Sequence, residues 1–195
     1  MNGKKYLDFL IKNKKKIYLH LGCGKRNFPD FVNIDIKKYK HVHFKQTVDK
    51  LHCIPDYSVD LIYASHVISY FDLLEFYKIL IEWKKKLKKN SILRISVPNL
   101  KALFSVYQNT KDILTIVGPL YGRMKISKDK YIYHKVVYDY SLLKNILRKA
   151  GFKKIRRYNW KETTHSAYDD HSQAYFPHMK KDTGIQISLN VECQK

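Results

Sequence analysis

KIYLHLGCGKRNFPDFVNID, residues 16–35, holds two short apolar runs separated by a pair of glycines that flank Cys23. The first run, Ile17-Tyr18-Leu19-His20-Leu21, ends at Gly22, as a strand buried in a parallel sheet does. Gly22 and Gly24 permit a sharp turn and a close backbone approach to a ligand, where a Cβ would collide. The second run, Phe31 to Ile36, carries Asp35, placed to accept two hydrogen bonds from a ribose diol. Open α/β sheets bind nucleotides in this way, at the carboxyl ends of their strands. The third glycine of the dinucleotide fingerprint is absent, because Asn27 closes the frame Gly22-x-Gly24-x-x-Asn27. Only Lys25 to Asp30 separate Gly24 from the second run, too few for a full crossover helix. The expected pocket therefore suits a mononucleoside-like ligand better than a pyrophosphate on a helix dipole. A plain strand–turn–strand is the alternative.

Three more stretches extend the reading. VNIDI (32–36) is followed by VDLIYASHVISYF (59–71) and ISVPNL (95–100). With LHLGCG (19–24), the series resembles the motif order of class I S-adenosylmethionine-dependent methyltransferases. More narrowly, it resembles the small methyltransferase-domain proteins found among polysaccharide-biosynthesis enzymes. The resemblance runs from about Ile17 to the C-terminus. It implies a three-layer α/β sandwich with a mostly parallel, doubly wound seven-stranded sheet whose last strand is antiparallel. It implies S-adenosylmethionine as cofactor, S-adenosylhomocysteine as product, and a cofactor site at Gly22, Cys23, Gly24, Asp35, Ile36, Asp49, Lys50, Leu51 and Ser65. In that site Asp49 would accept the adenine amino hydrogen and Leu51 would cover a ring face. The implied acceptor is a small molecule or saccharide of anionic character, methylated on a hydroxyl of a sugar, nucleotide-linked sugar or small phosphorylated metabolite.

A chain of 195 residues is read as a single domain, with residues 100–135 and 163–183 as acceptor-side insert and loop. No apolar run reaches the roughly 18 residues of a membrane span. The N-terminal MNGKKYLDFLIKNKKK lacks the apolar length of a signal peptide. Cys23, Cys53 and Cys193 are scattered, which fits reduced thiols in a cytoplasm. Net charge is +21, yet only six of the 38 basic residues are Arg. Nucleic-acid readers lean on Arg for bidentate contacts, so a solvated basic surface accounts for the charge better than a polynucleotide partner does. Its consequence is a field that attracts an anionic acceptor. RNA or protein methylation and a catalytically silent binding protein stand as alternative functions.

Along the chain, a helix is expected over 3–15 and a short strand at His41–Phe44 with solvent-facing histidines. A strong helix follows over Asp72–Lys89, where Asp72 and Glu75 form a capping box and Leu73, Phe76, Leu80, Trp83 and Leu87 make the core stripe. Strands are expected at 91–97 and 152–160, a helix at 139–150 ending at Gly151, and a half-exposed alternating strand at 185–191. Methyl transfer to a hydroxyl gains from a base, and histidine has the closest pKa. The candidates are His66, at the carboxyl end of its strand, His134 and His178, in segments that resemble those of the small relatives, and His165 and His171. Asp170 is expected to orient acceptor or base. His171 looks like a variable position. The loop 163–183, with three histidines and three carboxylates, is expected to close over the acceptor. No metal-ligand cluster, GxSxG elbow or Cys–His pairing is present in the sequence.

Overall fold

The computed structural model describes residues 2–195. In chain order the elements are α1 (Gly3–Lys12), β1 (Tyr18–Leu21), β2 (Val32–Asp35), β3 (Phe44–Lys45), β4 (Val59–Ser65), α2 (Leu73–Lys86), β5 (Leu87–Pro98), α3 (Leu100–Thr110), α4 (Leu114–Tyr121), β6 (Met124–Ser127), β7 (Lys130–Ile132), α5 (Tyr140–Lys149), β8 (Lys153–Arg157), β9 (Tyr175–Phe176), β10 (Ile185–Gln186) and β11 (Ser188–Gln194). Seven strands form one sheet in the order β3-β2-β1-β4-β5-β11-β8. The pairs from β3 to β5 are parallel, and β11 inserts antiparallel between β5 and β8. Two small hairpins, β6–β7 and β9–β10, stand outside it.

Local chemistry sets the elements. Asp72 accepts hydrogen bonds from the Leu74 and Glu75 amides, and Glu75 accepts one from the Asp72 amide, so the capping box fixes the start of α2. Phe76, Leu80 and Trp83 are buried on one side of that helix, whereas Leu73 at its first turn is exposed. Leu87 leaves the helix directly into β5, with no linker. Asp139 caps α5 by accepting from the Leu142 amide, and Gly151, at φ +78°, turns the chain out of it.

Alternation then sorts the sheet. Leu19, Leu21, Ile34, Ile62, Ala64, Ile95, Val97 and Val191 face one side, in one cluster with Leu7, Leu10, Phe76, Leu80, Trp83 and Leu147 of α1, α2 and α5. The other side carries Tyr18, His20, Asn33, Tyr63, Arg94 and Glu192. Its cover consists of Phe28 and Phe31, from the β1–β2 connection, and of segment 159–176, where 3₁₀ turns at Trp160–Glu162 and His171–Gln173 stand where longer helices would. The rings of His20 and Phe28 stack at 4.2 Å, and His165 lies 4.1 Å from Tyr63. Glu192, buried, takes Arg94 at 2.9 Å and Arg156 at 2.8 Å.

Two expectations change here. β11 is buried on both faces rather than half-exposed, because 3₁₀ residue Ser172 accepts the Asn190 side-chain amide at 2.9 Å and so roofs the polar side of the strand. His41 and His43 do not face solvent. His43 accepts the Asn33 amide at 2.9 Å and stacks on Tyr6, and the His41 ring contacts the Gly24 carbonyl at 3.0 Å. β1 and β2 do pair in parallel without a helix between them, as the short connection required.

Candidate active site

The carboxyl ends of β1, β2 and β4 meet at the glycine turn. Gly22 and Gly24 both take positive φ, +63° and +55°. A Cβ on Gly22 would lie 2.4 Å from Val67, so this glycine lets the chain after β4 pack on the turn. A Cβ on Gly24 would meet nothing within 4 Å: space lies open above it. Cys23 between them is buried, and burial pushes its thiol up to about 12, so its backbone rather than its sulfur belongs to the turn. Asp35 locks the turn from below. One carboxylate oxygen accepts the Gly24 amide at 2.8 Å and the other the Lys37 amide at 2.7 Å. Each oxygen keeps a second lone pair.

Buried polar atoms lack partners among the described residues, some under the second sheet face (His165 Nε2, Ser172 Oγ, Asn190 Oδ1) and others at or after the carboxyl ends of strands. The latter include Asp49 Oδ1 and Ser65 Oγ, with Ser69 Oγ, Ser96 Oγ and Asn99 Oδ1 toward the ends of β4 and β5. Buried polar groups are almost always hydrogen-bonded, so such a cluster at the ligand-binding edge of an α/β sheet points to a polar ligand. Ile36 and Lys50 are exposed beside it. Leu51 departs from its expected role. Its side chain is fully buried in the main core and its amide donates to Glu82 at 3.2 Å, so it cannot cover a ligand ring.

Beyond Ser65 three histidines converge. His66 takes φ +53°, its amide donates to the Ser96 carbonyl, and its Nε2 sits 3.0 Å from Ser188 Oγ. Ser188 in turn donates to the His171 carbonyl, so His66 Nε2 carries the hydrogen and Nδ1 is the acceptor nitrogen. The His171 ring stacks on His66 at 5.0 Å. His134 comes from the insert. Its Nδ1 donates to the Leu120 carbonyl at 3.2 Å, its ring lies on Gly122, and it meets Tyr70 edge-on at 4.8 Å. Burial is the main cause that lowers the pKa of His66 and His134, and proximity adds to it: His171 and His134 both depress His66. His66 and His134 are thus neutral at pH 7, the form a base needs.

His134 also borders a cavity of about 430 Å³, walled by Leu100, Leu103, Phe104, Ile116, Leu120 and Val136. Lys135 and Val136 donate their amides to the Ser69 carbonyl, which ties this wall to the loop after β4. This hollow is built by residues 100–137, and none of its lining comes from loop 163–183.

Loop 163–183 runs over the second sheet face. Thr163, His165, Asp170, Ser172 and Gln173 are buried in it as the cover of the second sheet face. Asp170 is not placed to orient an acceptor: one oxygen accepts from Tyr63 and the other from the Ser172 amide, which caps the 3₁₀ turn. His178 is exposed beyond Pro177 and shares no hydrogen bond or ring contact with the three histidines. His171, which looks like a variable position in the sequence, is the loop's contribution. The Asp170-x-Ser172 spacing, an Asx turn, was the signal that its position is fixed.

No protein-family model and no curated protein matches the chain. Similar solved structures exist, all at low identity. A SAM-dependent methyltransferase from Archaeoglobus fulgidus is 17% identical, with 98% of this chain and 92% of that one covered and a TM-score of 0.57. One from Methanosarcina mazei is 15% identical, with 95% and 96% covered and a TM-score of 0.54. The 1,6-didemethyltoxoflavin-N1-methyltransferase of Burkholderia thailandensis, solved with 1,6-didemethyltoxoflavin and S-adenosylhomocysteine, is 11% identical, with 99% and 76% covered and a TM-score of 0.53. The chain has the class I methyltransferase fold.

Proposed function

We propose that the chain transfers a methyl group from S-adenosylmethionine to a small acceptor. The observation that carries this reading is the pair of partnerless buried atoms, Asp49 Oδ1 and Ser65 Oγ, beside a glycine turn with open space above Gly24. Asp35 would hold the ribose with its remaining lone pairs, Asp49 the adenine amino group, and Ser65 the methionine part. When bound, the cofactor supplies an already activated methyl group. The protein's own task is then to align a nucleophile and exclude water. His134 Nε2 and His66 Nδ1 are the acceptor nitrogens available to take a proton from an acceptor hydroxyl, a contribution of about 10²–10⁴-fold.

The cavity's lining bears on the acceptor class. The sequence suggests a sugar hydroxyl or a phosphorylated metabolite, and the basic surface suits an anion. The wall beside His134 is mostly aliphatic and aromatic, with Lys135 also on its lining. A bare sugar there would bury hydroxyls without partners, at a cost of about 1–3 kcal/mol each. The reading supported best is a hydroxyl on a molecule with an apolar body, including a sugar carried on an apolar group.

Calorimetry with S-adenosylmethionine, S-adenosylhomocysteine and NAD tests the cofactor. The first two should bind and NAD far more weakly; comparable affinity for NAD would overturn the reading. Asp35→Ala should weaken S-adenosylhomocysteine at least about tenfold, from loss of charge-assisted bonds of about 1.5–3 kcal/mol. An unchanged dissociation constant in a folded variant would remove Asp35 from the site.

A further inference from the structure

Helix α4 reads LTIVGPLY and has no charged residue, yet only Ile116 of it is buried. Leu114 is 76% exposed and Tyr121 56%, while Ile113 just ahead of the helix is 52% exposed and Phe104 on the adjacent α3 is 55%. Single exposed apolar residues are ordinary, but Ile113, Leu114 and Tyr121 on one side of α4, with Phe104 of α3 also exposed, make an apolar surface of the kind that binds a partner.

Its flanks are cationic. Residues 100–135 hold seven Lys or Arg against two Asp. Lys111 precedes α4, and Arg123, Lys125, Lys128 and Lys130 follow on the β6–β7 hairpin, all exposed. That hairpin stays beside the helix end: the His134 amide, past β7, donates to the Tyr121 carbonyl, and the His134 ring lies on Gly122. Arg123 stacks on Tyr131 at 3.7 Å, which places a cation and an aromatic ring side by side at the rim. Apolar side chains in the middle, with Tyr and Lys or Arg around them, is the pattern of a segment lying in a bilayer interface. No helix of the described residues is long and apolar enough to cross a membrane, so the surface would rest on the bilayer without spanning it.

We propose that α4 and the β6–β7 hairpin dock this protein on an anionic lipid bilayer, with Ile113, Leu114 and Tyr121 in the interface and the hairpin lysines over the headgroups. Charge complementarity selects this occupant. A second copy of the chain would set the same cations against each other, whereas an anionic leaflet draws each of them in. Phe104 and Tyr121 belong to this surface and also line the acceptor cavity, so docking would turn the cavity toward the membrane. The inference does not depend on the methyl-transfer reading.

Vesicle flotation with the full chain decides it. The protein should float with phosphatidylcholine vesicles containing phosphatidylglycerol and stay down with phosphatidylcholine alone. Ile113→Asp with Leu114→Asp should weaken association about tenfold or more. Lys128→Glu with Lys130→Glu should weaken it about fivefold per charge lost. Circular dichroism and S-adenosylhomocysteine binding should be unchanged in both variants, since none of these residues belongs to the site. The proposal is overturned by absence of flotation on anionic vesicles, or by unaltered flotation of the Asp pair. It is also overturned if sedimentation shows a dimer that the Asp pair dissociates while vesicles capture nothing.

Discussion

The two faces of this sheet solve the same problem differently. One face is apolar at every second residue and is sealed by α1, α2 and α5, whose stripes bury Leu10, Leu80, Trp83 and Leu147. The other carries His20, Asn33, Tyr63, Arg94, Asn190 and Glu192, and it is sealed by rings and 3₁₀ turns that bring specific partners. Apolar burial is non-directional and tolerates many covers. A buried polar face needs each donor and acceptor met, so its cover must be particular. Here that cover also serves the candidate site, because Asp170 fixes the turn that brings His171 onto His66.

The largest effects should come from removing the centre of each face. Trp83→Ala takes away a fully buried ring whose Nε1 donates to the Val48 carbonyl, and should cost about 3–5 kcal/mol. Glu192→Ala leaves Arg94 buried without its partner and should cost a similar amount, about 3–5 kcal/mol. Urea denaturation compares the two. A loss for Glu192→Ala well below that of Trp83→Ala would make the polar face a passive cover.

Acid should act on the polar face first. Burial is the leading cause that lowers His20 and His165 to about 3. Unfolded histidine takes a proton near 6.5 and these two do not, so the unfolded state binds more protons between about pH 6.5 and pH 3. Stability therefore falls as pH drops through that window, by up to about 1.4 kcal/mol per pH unit for each residue. His165→Phe keeps the ring packing and removes one such group. Melting curves at pH 7 and about pH 5 should show the variant losing less than the parent, by up to about 2 kcal/mol. Equal losses would mean that His165 is protonated in the fold.

Smaller effects separate partner from cap. Tyr63→Phe leaves one oxygen of buried Asp170 unmet and should cost about 1–3 kcal/mol, with faster amide exchange at Ser172. A shift in stability without faster exchange would sever Tyr63 from the 3₁₀ turn. Asp72→Ala on the helical face should cost only about 1 kcal/mol, because the exposed cap is helped by the packing of Phe76 and Leu80.

The chain's local periodicities determined most of what the apolar face required. The runs at 17–21 and 32–35, the two-glycine turn, Asp35 at its strand end and the Asp72 capping box are short-range patterns, and their physics is complete within a few residues. The tertiary structure decided the rest. His171 gained a place because a distant Ser188 ties its carbonyl to His66, and Asp170, taken up by Tyr63 and the Ser172 amide, holds the turn that carries His171 and does not reach toward an acceptor. Leu51 left the ligand for the core, and the hollow beside His134 is walled by residues 100–137 without loop 163–183. Those outcomes depend on hydrogen bonds between residues far apart in the chain. A directional bond needs both partners placed in space, and sequence spacing places only one of them.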